Sequence, residues 1–347
     1  MYNTRPLQVI NAVAPIRICD IGGWTDTWFA GHGTILNLGV YPYVEVQIAV
    51  FPRTARHDRI TLHAENYGDR YVIDPAQSIV PRHPLLEAAI AELPPPAELA
   101  IELTIHSEVP AGCSTGTSAA VCVALIGALD ALTPGRLTAH EIAYAAHRVE
   151  TQRLGLQSGI QDQLCSAYGG VNFIEMYTYP TASVSPIQIP NTTWWELERR
   201  LALIFLGRAH SSSDVHEQVI AGLEAEGGSS PQLVPLRTAA RAARDALYAA
   251  DFSAFGRAMA ENTAAQRALH PALVGPDAER VIAIAREYGA VGWKVNGAGG
   301  DGGSVTLLCE SSTSDKRRML RAIAAADPLY QPIPIYLSRT GLRVWHA

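Results

Sequence analysis

The chain has 347 residues, a formal net charge of −6, 48% hydrophobic residues and 17% charged ones. That length exceeds what a single hydrophobic core usually supports, so two packed lobes are expected. The acidic balance, with no block rich in Lys or Arg, argues against nucleic acid or an anionic membrane as partner, so any anionic ligand must be captured by local features such as a helix N-terminus or a metal.

The five cysteines, Cys19, Cys113, Cys122, Cys165 and Cys309, form no CxxC pair. An odd, scattered set fits neither a disulfide framework nor a zinc site, and a reducing cytoplasm is the expected setting. The first residues lack a basic segment followed by an apolar run, and the apolar run 121–129 stops at Asp130, too short to span a bilayer. A homo-oligomer is compatible with these properties.

Taken in chain order, residues 9–13, 40–50 and 59–63 carry alternating or β-branched apolar residues and read as strands. Residues 99–109 (LAIELTIHSEV) alternate clearly and predict a strand with one buried face. A small-residue loop follows at 110–120, then an Ala/Val/Leu helix to about Asp130, helices at 138–151 and 159–167, and a strand at 171–176. The Pro-, Thr- and Ser-rich stretch 177–195 reads as the boundary between lobes, giving an N-terminal lobe over 1–185 and a C-terminal lobe over 196–347. Beyond it lie a strand at 201–206, alanine-rich helices at 214–225, 234–250 and 252–265, and a helix at 277–288. A strand–loop–strand at 291–309, a helix at 314–325 and strands near 333–337 and 343–346 complete the chain. Strands and helices in separate blocks favour an α+β architecture over a doubly wound sheet.

The loop PAGCSTGTSAA lies between a predicted strand and a predicted helix. Gly112 and Gly116 permit tight turns, while Thr117 and Ser118 stand where the helix begins and can cap it or ligate a metal. Such a loop is either an ordinary capped turn or a concave set of amide donors aligned with a helix dipole, as a di- or triphosphate requires.

The segment resembles the PxxxGLGSSAA motif of the GHMP kinases (galactokinase, homoserine kinase, mevalonate kinase and phosphomevalonate kinase). Two further segments match in the family's order. Ala14-Pro15-Ile16-Arg17 through Ile21-Gly22-Gly23-Trp24-Thr25-Asp26 is similar to the N-terminal motif of galactokinase, and Lys294 through Gly303 (KVNGAGGDGG) to the C-terminal K-x-x-GAG-x-GG motif. Within the loop, Ser114, Thr115 and Thr117 depart from the family's glycine, leucine and serine. The resemblance implies two lobes, the first like ribosomal S5 domain 2 and the second a ferredoxin-like α+β sandwich, with the active site between them. It also implies ATP held by Pro110, Gly112, Cys113, Ser114, Thr115, Gly116, Thr117 and Ser118.

Residue roles follow from the same resemblance. Asp162, in the G-I-Q-D-Q segment, matches the family's catalytic base, and Arg17 the cation beside it that would keep the carboxylate ionised. Without the motif, Asp162 would read as a helix cap or salt-bridge partner. Glu150 matches the magnesium-binding glutamate, with Ser118 as second ligand, so Mg2+ is expected; a solvated helix-end charge is the alternative. Asp26 resembles the aspartate that accepts from sugar hydroxyls, or else serves an Asx turn. Gly23, and Gly299 and Gly300 of the last motif, would offer close backbone approach to the substrate. Ser211, Ser212 and Ser213, in LGRAHSSSDVH, resemble a substrate-side motif of heptose kinases but equally suit caps of the following helix. Cys113 reads as a small loop filler.

The segment GGWTDT is similar to that of fucokinases, and residues 159–175 (GIQDQLCSAYGGVNFIE) resemble the matching run of D-glycero-D-manno-heptose phosphate kinases. Both groups act on an anomeric hydroxyl, so the resemblance implies a sugar or sugar phosphate as partner and a sugar 1-phosphate as product. A non-catalytic regulator and a decarboxylase of the diphosphomevalonate type are the competing readings.

Overall fold

The computed structural model describes residues 5–53, 58–73, 81–133, 136–208 and 213–347, with the side chains of 213–215 excepted. The elements run β1 (Gln8–Ile21), β2 (Gly33–Pro52), β3 (Ile60–Ala64), β4 (Asp69–Ile73), α1 (Pro84–Glu92), β5 (Leu99–Ser107), α2 (Thr117–Asp130), α3 (Ala139–Arg148), α4 (Gln161–Tyr168), β6 (Val171–Thr178) and β7 (Thr181–Pro186). They continue with α5 (Asn191–Arg200), β8 (Leu201–Phe205), α6 (Ser213–Glu226), α7 (Leu233–Tyr248), α8 (Phe252–Leu269), α9 (Pro276–Glu287), β9 (Ala290–Val295), β10 (Ser304–Cys309), α10 (Thr313–Ala326), β11 (Gln331–Ile333), β12 (Tyr336–Leu337) and β13 (Arg343–His346).

The first sheet follows the order β13-β1-β2-β5-β3-β4, with β6, β7 and β12 attached through β2. The long β2 serves two sets of partners within this sheet: residues 44–52 pair with β5 and residues 33–38 with β6. The change of partner coincides with a register skip in the β1–β2 ladder, where Pro15 faces Tyr43 but Ile16 faces Val40. Pro42, which has no N–H to give, sits in that skip. The inner half of β1 is covered on both faces and therefore almost wholly buried, which places the Arg17–Asp26 motif at the centre of the molecule.

Helix α2 is buried on every side from Ala119 to Asp130 except at Val121. A helix apolar all round must lie inside the core, and its N-terminus then opens at the junction between lobes. Helix α3 begins with a capping box in which Thr138 and Glu141 satisfy each other's backbone donors.

The second sheet, in order β11-β8-β10-β9, is antiparallel throughout. Its β8 run is apolar at every position because both faces are covered. Ala202 and Ile204 face α9 and α10 through Val281, Ile282 and Ile323, while Leu201, Leu203 and Phe205 join the main core with Phe255 of α8. This is the α+β arrangement of the two expected lobes.

Three expectations need adjusting. The stretch 177–195, read as a lobe boundary, carries regular structure: Thr181–Pro186 pairs with β6, and α5 starts at Asn191. The strand expected at 333–337 is two strands, because Pro334 interrupts the ladder; Gln331–Ile333 pairs with β8 and Tyr336–Leu337 with β2. The chain end also crosses back, β13 lying antiparallel to Ile10–Val13 of β1, so residues 336–346 contribute to the first sheet rather than to a lobe bounded by 196–347.

Candidate active site

The loop between β5 and α2 is held from beneath. The carbonyl of Cys113 accepts from Ser304 Oγ at 2.6 Å, that of Thr115 from the Arg17 amide at 2.9 Å, and that of Ser114 from the Arg17 guanidinium. With those carbonyls turned into the protein, the opposite side of the loop lines a cavity of roughly 410 Å³. Gly116, at φ +67°, is the N-cap of α2, and a methyl group there would sit 3.1 Å from both Arg17 Cγ and the Asp162 carboxylate. Ser114 takes φ +57°, and its buried hydroxyl has no hydrogen-bond partner, an orphaned donor on the cavity wall. Burial pushes the Cys113 thiol up to about 11, which suits a filler rather than a nucleophile.

Arg17 and Asp162 come from β1 and α4, 145 residues apart, and pair through two contacts: Nε to Oδ1 at 2.7 Å and Nη2 to Oδ2 at 3.1 Å. Burial disfavours the Arg17 cation, but Asp162 and Asp20 outweigh it and the guanidinium stays firmly protonated. Asp162 faces the same cavity as Ser118.

Glu150 follows α3 in a π-helical turn, Val149–Arg153, closed by Leu154 N–H donating to Val149 O at 3.1 Å. The widened turn directs Glu150 into the protein, where it is 4% exposed. Its carboxylate meets the Ser118 hydroxyl, and its Oε2 accepts from Ser158 Oγ at 2.8 Å and Gln163 Nε2 at 2.7 Å. Burial raises its pKa, partly offset by these donors. Among the described residues, no group of three or more His, Cys, Asp or Glu side chains is arranged to hold a metal ion. Exposed Ser118 and buried Glu150 offer hard oxygen donors at the start of α2, a set that fits Mg2+ completed by phosphate oxygens and water.

Asp26 is 3% exposed, and its Oδ2 accepts from the Gln161 amide at 3.0 Å. Burial pushes its carboxyl up to about 6, against the lowering effect of that amide. Gly159 must be glycine here, since a Cβ would lie 2.1 Å from Asp26 Oδ2. Gly23 and Asp26 both line the cavity, with Trp24, Trp28 and Phe29.

Pro110 stands apart from these residues. With Ala111 and Thr117 it lines a second, mostly apolar cavity of about 510 Å³, walled also by Asn66, Tyr67 and Val121. Thr117 borders both cavities, so the loop between β5 and α2 is the partition between them.

Gly299 and Gly300 do not approach the cavity as expected. A Cβ on Gly299 would lie 2.1 Å from Leu273 O, and the Gly300 amide donates to that carbonyl at 3.1 Å. These glycines let the loop pack against residues 273–274, whereas Gly297 and Ala298 reach the cavity. Ser211 and Ser212 lie outside the described residues, and Ser213 opens α6.

Comparison with known proteins gives the geometry a family. The model of the GHMP kinases N terminal domain matches residues 84–170, and that of the GHMP kinases C terminal domain matches residues 243–327. A mevalonate kinase of Thermococcus sibiricus is 30% identical over 254 residues, 70% of this chain and 69% of that protein. The chain belongs to the GHMP kinase family. A D-glycero-alpha-D-manno-heptose 7-phosphate kinase of Campylobacter jejuni is 29% identical over 204 residues, 59% of this GHMP kinase and 60% of the relative's length. The crystal structure of a D-glycero-D-manno-heptose 1-phosphate kinase from Bacteroides thetaiotaomicron superposes with a TM-score of 0.73 at 21% identity, covering 97% of this chain and 98% of that one, a likeness of fold.

Several residues of this GHMP kinase site escape sequence reasoning. Ser158 touches Glu150, and its carbonyl accepts from the Tyr179 hydroxyl at 2.8 Å; Tyr179 in turn meets His147 Nε2 at 2.8 Å. His216 of α6 stands 5.1 Å from the Trp24 ring and lines the cavity from the other lobe. Tyr179 falls in the stretch read as a lobe boundary, and a lone histidine or serine carries no spacing signal.

Proposed function

We propose that this GHMP kinase transfers the γ-phosphoryl group of ATP to a sugar hydroxyl, the anomeric one of a heptose 7-phosphate or related aldose. The observation that carries the reading is the convergence of Ser118, Asp162 and Asp26 on one cavity, with Glu150 against Ser118. The second cavity, beyond Thr117, suits the nucleotide base, leaving the phosphates to cross the start of α2, where free amides and the helix dipole favour anions.

In this reading Asp26 accepts from sugar hydroxyls, and Asp162 takes the proton of the attacking hydroxyl. Arg17 fixes that carboxylate's plane through its paired contacts and adds positive charge where the alkoxide develops. Ser118 and Glu150 would hold Mg2+, which when bound neutralises phosphate charge. The aromatic wall of Trp24, Trp28 and Phe29 also suits the C–H face of an unphosphorylated aldose, the second reading.

Release of ADP from Mg·ATP, measured with heptose 7-phosphates and neutral aldoses, tests the proposal. Stoichiometric ADP and sugar 1-phosphate with one of these sugars is the expected result. Nucleotide binding without turnover on any of them would mark a regulator instead, and release of carbon dioxide from a diphosphorylated acid would mark a decarboxylase.

A further inference from the structure

Asp20, Lys294 and Gln266 are each 1% exposed, and of the three only Asp20 enters the account above, through its charge beside Arg17. Asp20 lies on β1, Lys294 on β9 and Gln266 on α8, so the cluster joins the two ends of the chain. Lys294 Nζ is 3.4 Å from Asp20 Oδ1 and donates to Gln266 Oε1 at 3.2 Å and to the Val295 carbonyl. A fully buried ion pair is weak support for stability, because desolvation offsets its attraction. What it does instead is visible at Gly297, whose N–H donates to Asp20 Oδ1 at 3.0 Å and whose carbonyl accepts from Gln266 Nε2 at 3.1 Å. Held on both sides, Gly297 is pressed against the site: a Cβ there would be 3.2 Å from Ser114 Cβ and 3.4 Å from Arg17 Nη2. Asp20 Oδ1 is also 3.9 Å from Arg17 Nη1, so Asp20 stands between two buried cations.

We propose that the Asp20–Lys294 pair, with Gln266, is a positioning clamp that seats Gly297 against Arg17 and Ser114 and keeps Arg17 paired with Asp162. The proposal rests on the phosphoryl-transfer reading for its kinetic consequence. Lys294 occupies Asp20, which otherwise competes with Asp162 for the same guanidinium. Removing Lys294 alone frees that competitor; neutralising Asp20 alone leaves Lys294 and Arg17 facing each other without an intervening charge. Removing both charges together abolishes the conflict.

The test is a double-mutant cycle of Asp20→Asn, Lys294→Met and the pair combined, with kcat, both KM values and thermal unfolding measured for each. Each single variant should lose about 30-fold in kcat with KM little changed, and the double variant should recover most of the loss. Singles with wild-type kcat, or a double variant no better than the worse single, would overturn the clamp. Should Asp20→Asn fail to fold, Lys294→Met and the double variant carry the comparison alone.

A readout independent of turnover is amide hydrogen exchange in Asp20→Ala. The peptide spanning residues 294–303 should exchange faster, while peptides of β8 and β10 keep their protection. Unchanged exchange at 294–303, or faster exchange throughout the second sheet, would overturn the proposal. If the wild-type protein turns over no sugar at all, the phosphoryl-transfer reading falls and this exchange experiment still decides the clamp.

Discussion

Asp26 is kept out of water by the fold and consequently holds its proton to about pH 6, against 3.8 for an ordinary aspartate. The unfolded chain therefore releases that proton first. Asp26 has no effect on stability below about pH 4, destabilises progressively as pH rises from 4 to 6, and exerts a constant penalty on the order of 3 kcal/mol above that. Asp26→Asn should accordingly raise the melting temperature at pH 7.5 and leave it nearly unchanged at about pH 3, below both values. In the same variant sugar KM should rise, and the wild-type fall in sugar KM as pH passes upward through 6 should disappear. Equal stability of the two proteins at pH 7.5 would show that Asp26 is not strained by burial. At this scale the sequence was informative wherever a motif names the residue, as at Arg17, Asp26 and Asp162. It was silent on Ser158, Tyr179 and His216, which reach the site through contacts between distant elements and leave no local pattern.

The element that organises the site is α2, whose buried body aims its first turn at the cavity. Its N-cap, Gly116, combines φ +67° with close approach to Arg17 and Asp162. Gly116→Ala should cost about 1–2 kcal/mol of stability for the left-handed conformation. It should lower kcat by more than that figure implies, on the order of 100-fold, because the methyl group displaces the Arg17–Asp162 pair. Urea unfolding and steady-state kinetics on one preparation measure both; a full-rate variant would contradict the tight loop–carboxylate packing. Periodicity predicted α2 and α3 to within a few residues, since an apolar or amphipathic helix declares itself locally. The π-turn after Arg148 was not legible, because a one-residue widening leaves the apolar spacing of the helix unchanged until its last turn. Strand β4 and helix α1 also went unread: β4 is short and half-exposed, and α1 is a short helix flanked by prolines.

At the scale of the whole molecule, the chain closes on itself. Strand β12 pairs with β2 and β13 with β1, the strand that carries Arg17 and Asp20. Deleting residues 335–347 should expose an edge of the first sheet and lower the melting temperature by more than about 5 °C. A truncated protein of unchanged melting temperature would show that this closure contributes nothing to stability. The two-lobe α+β architecture followed from length, block order and the family motifs, but the returning strands did not. A change of residue texture at 177–195 is a local property, whereas the pairing of residues 10–13 with residues 343–346 depends on the finished fold. The same distinction explains why Gly299 and Gly300 were misplaced: glycine richness marks close approach without saying to what, and here the partner is Leu273.

The account stands on Asp162 facing, across one cavity, the loop that would hold the phosphates. The most direct measurement compares Asp162→Asn with the wild-type protein, determining nucleotide affinity by titration and sugar phosphorylation by ADP release. Unchanged nucleotide affinity with turnover reduced by about two orders of magnitude or more is the predicted result. Turnover close to that of the wild-type protein would contradict it.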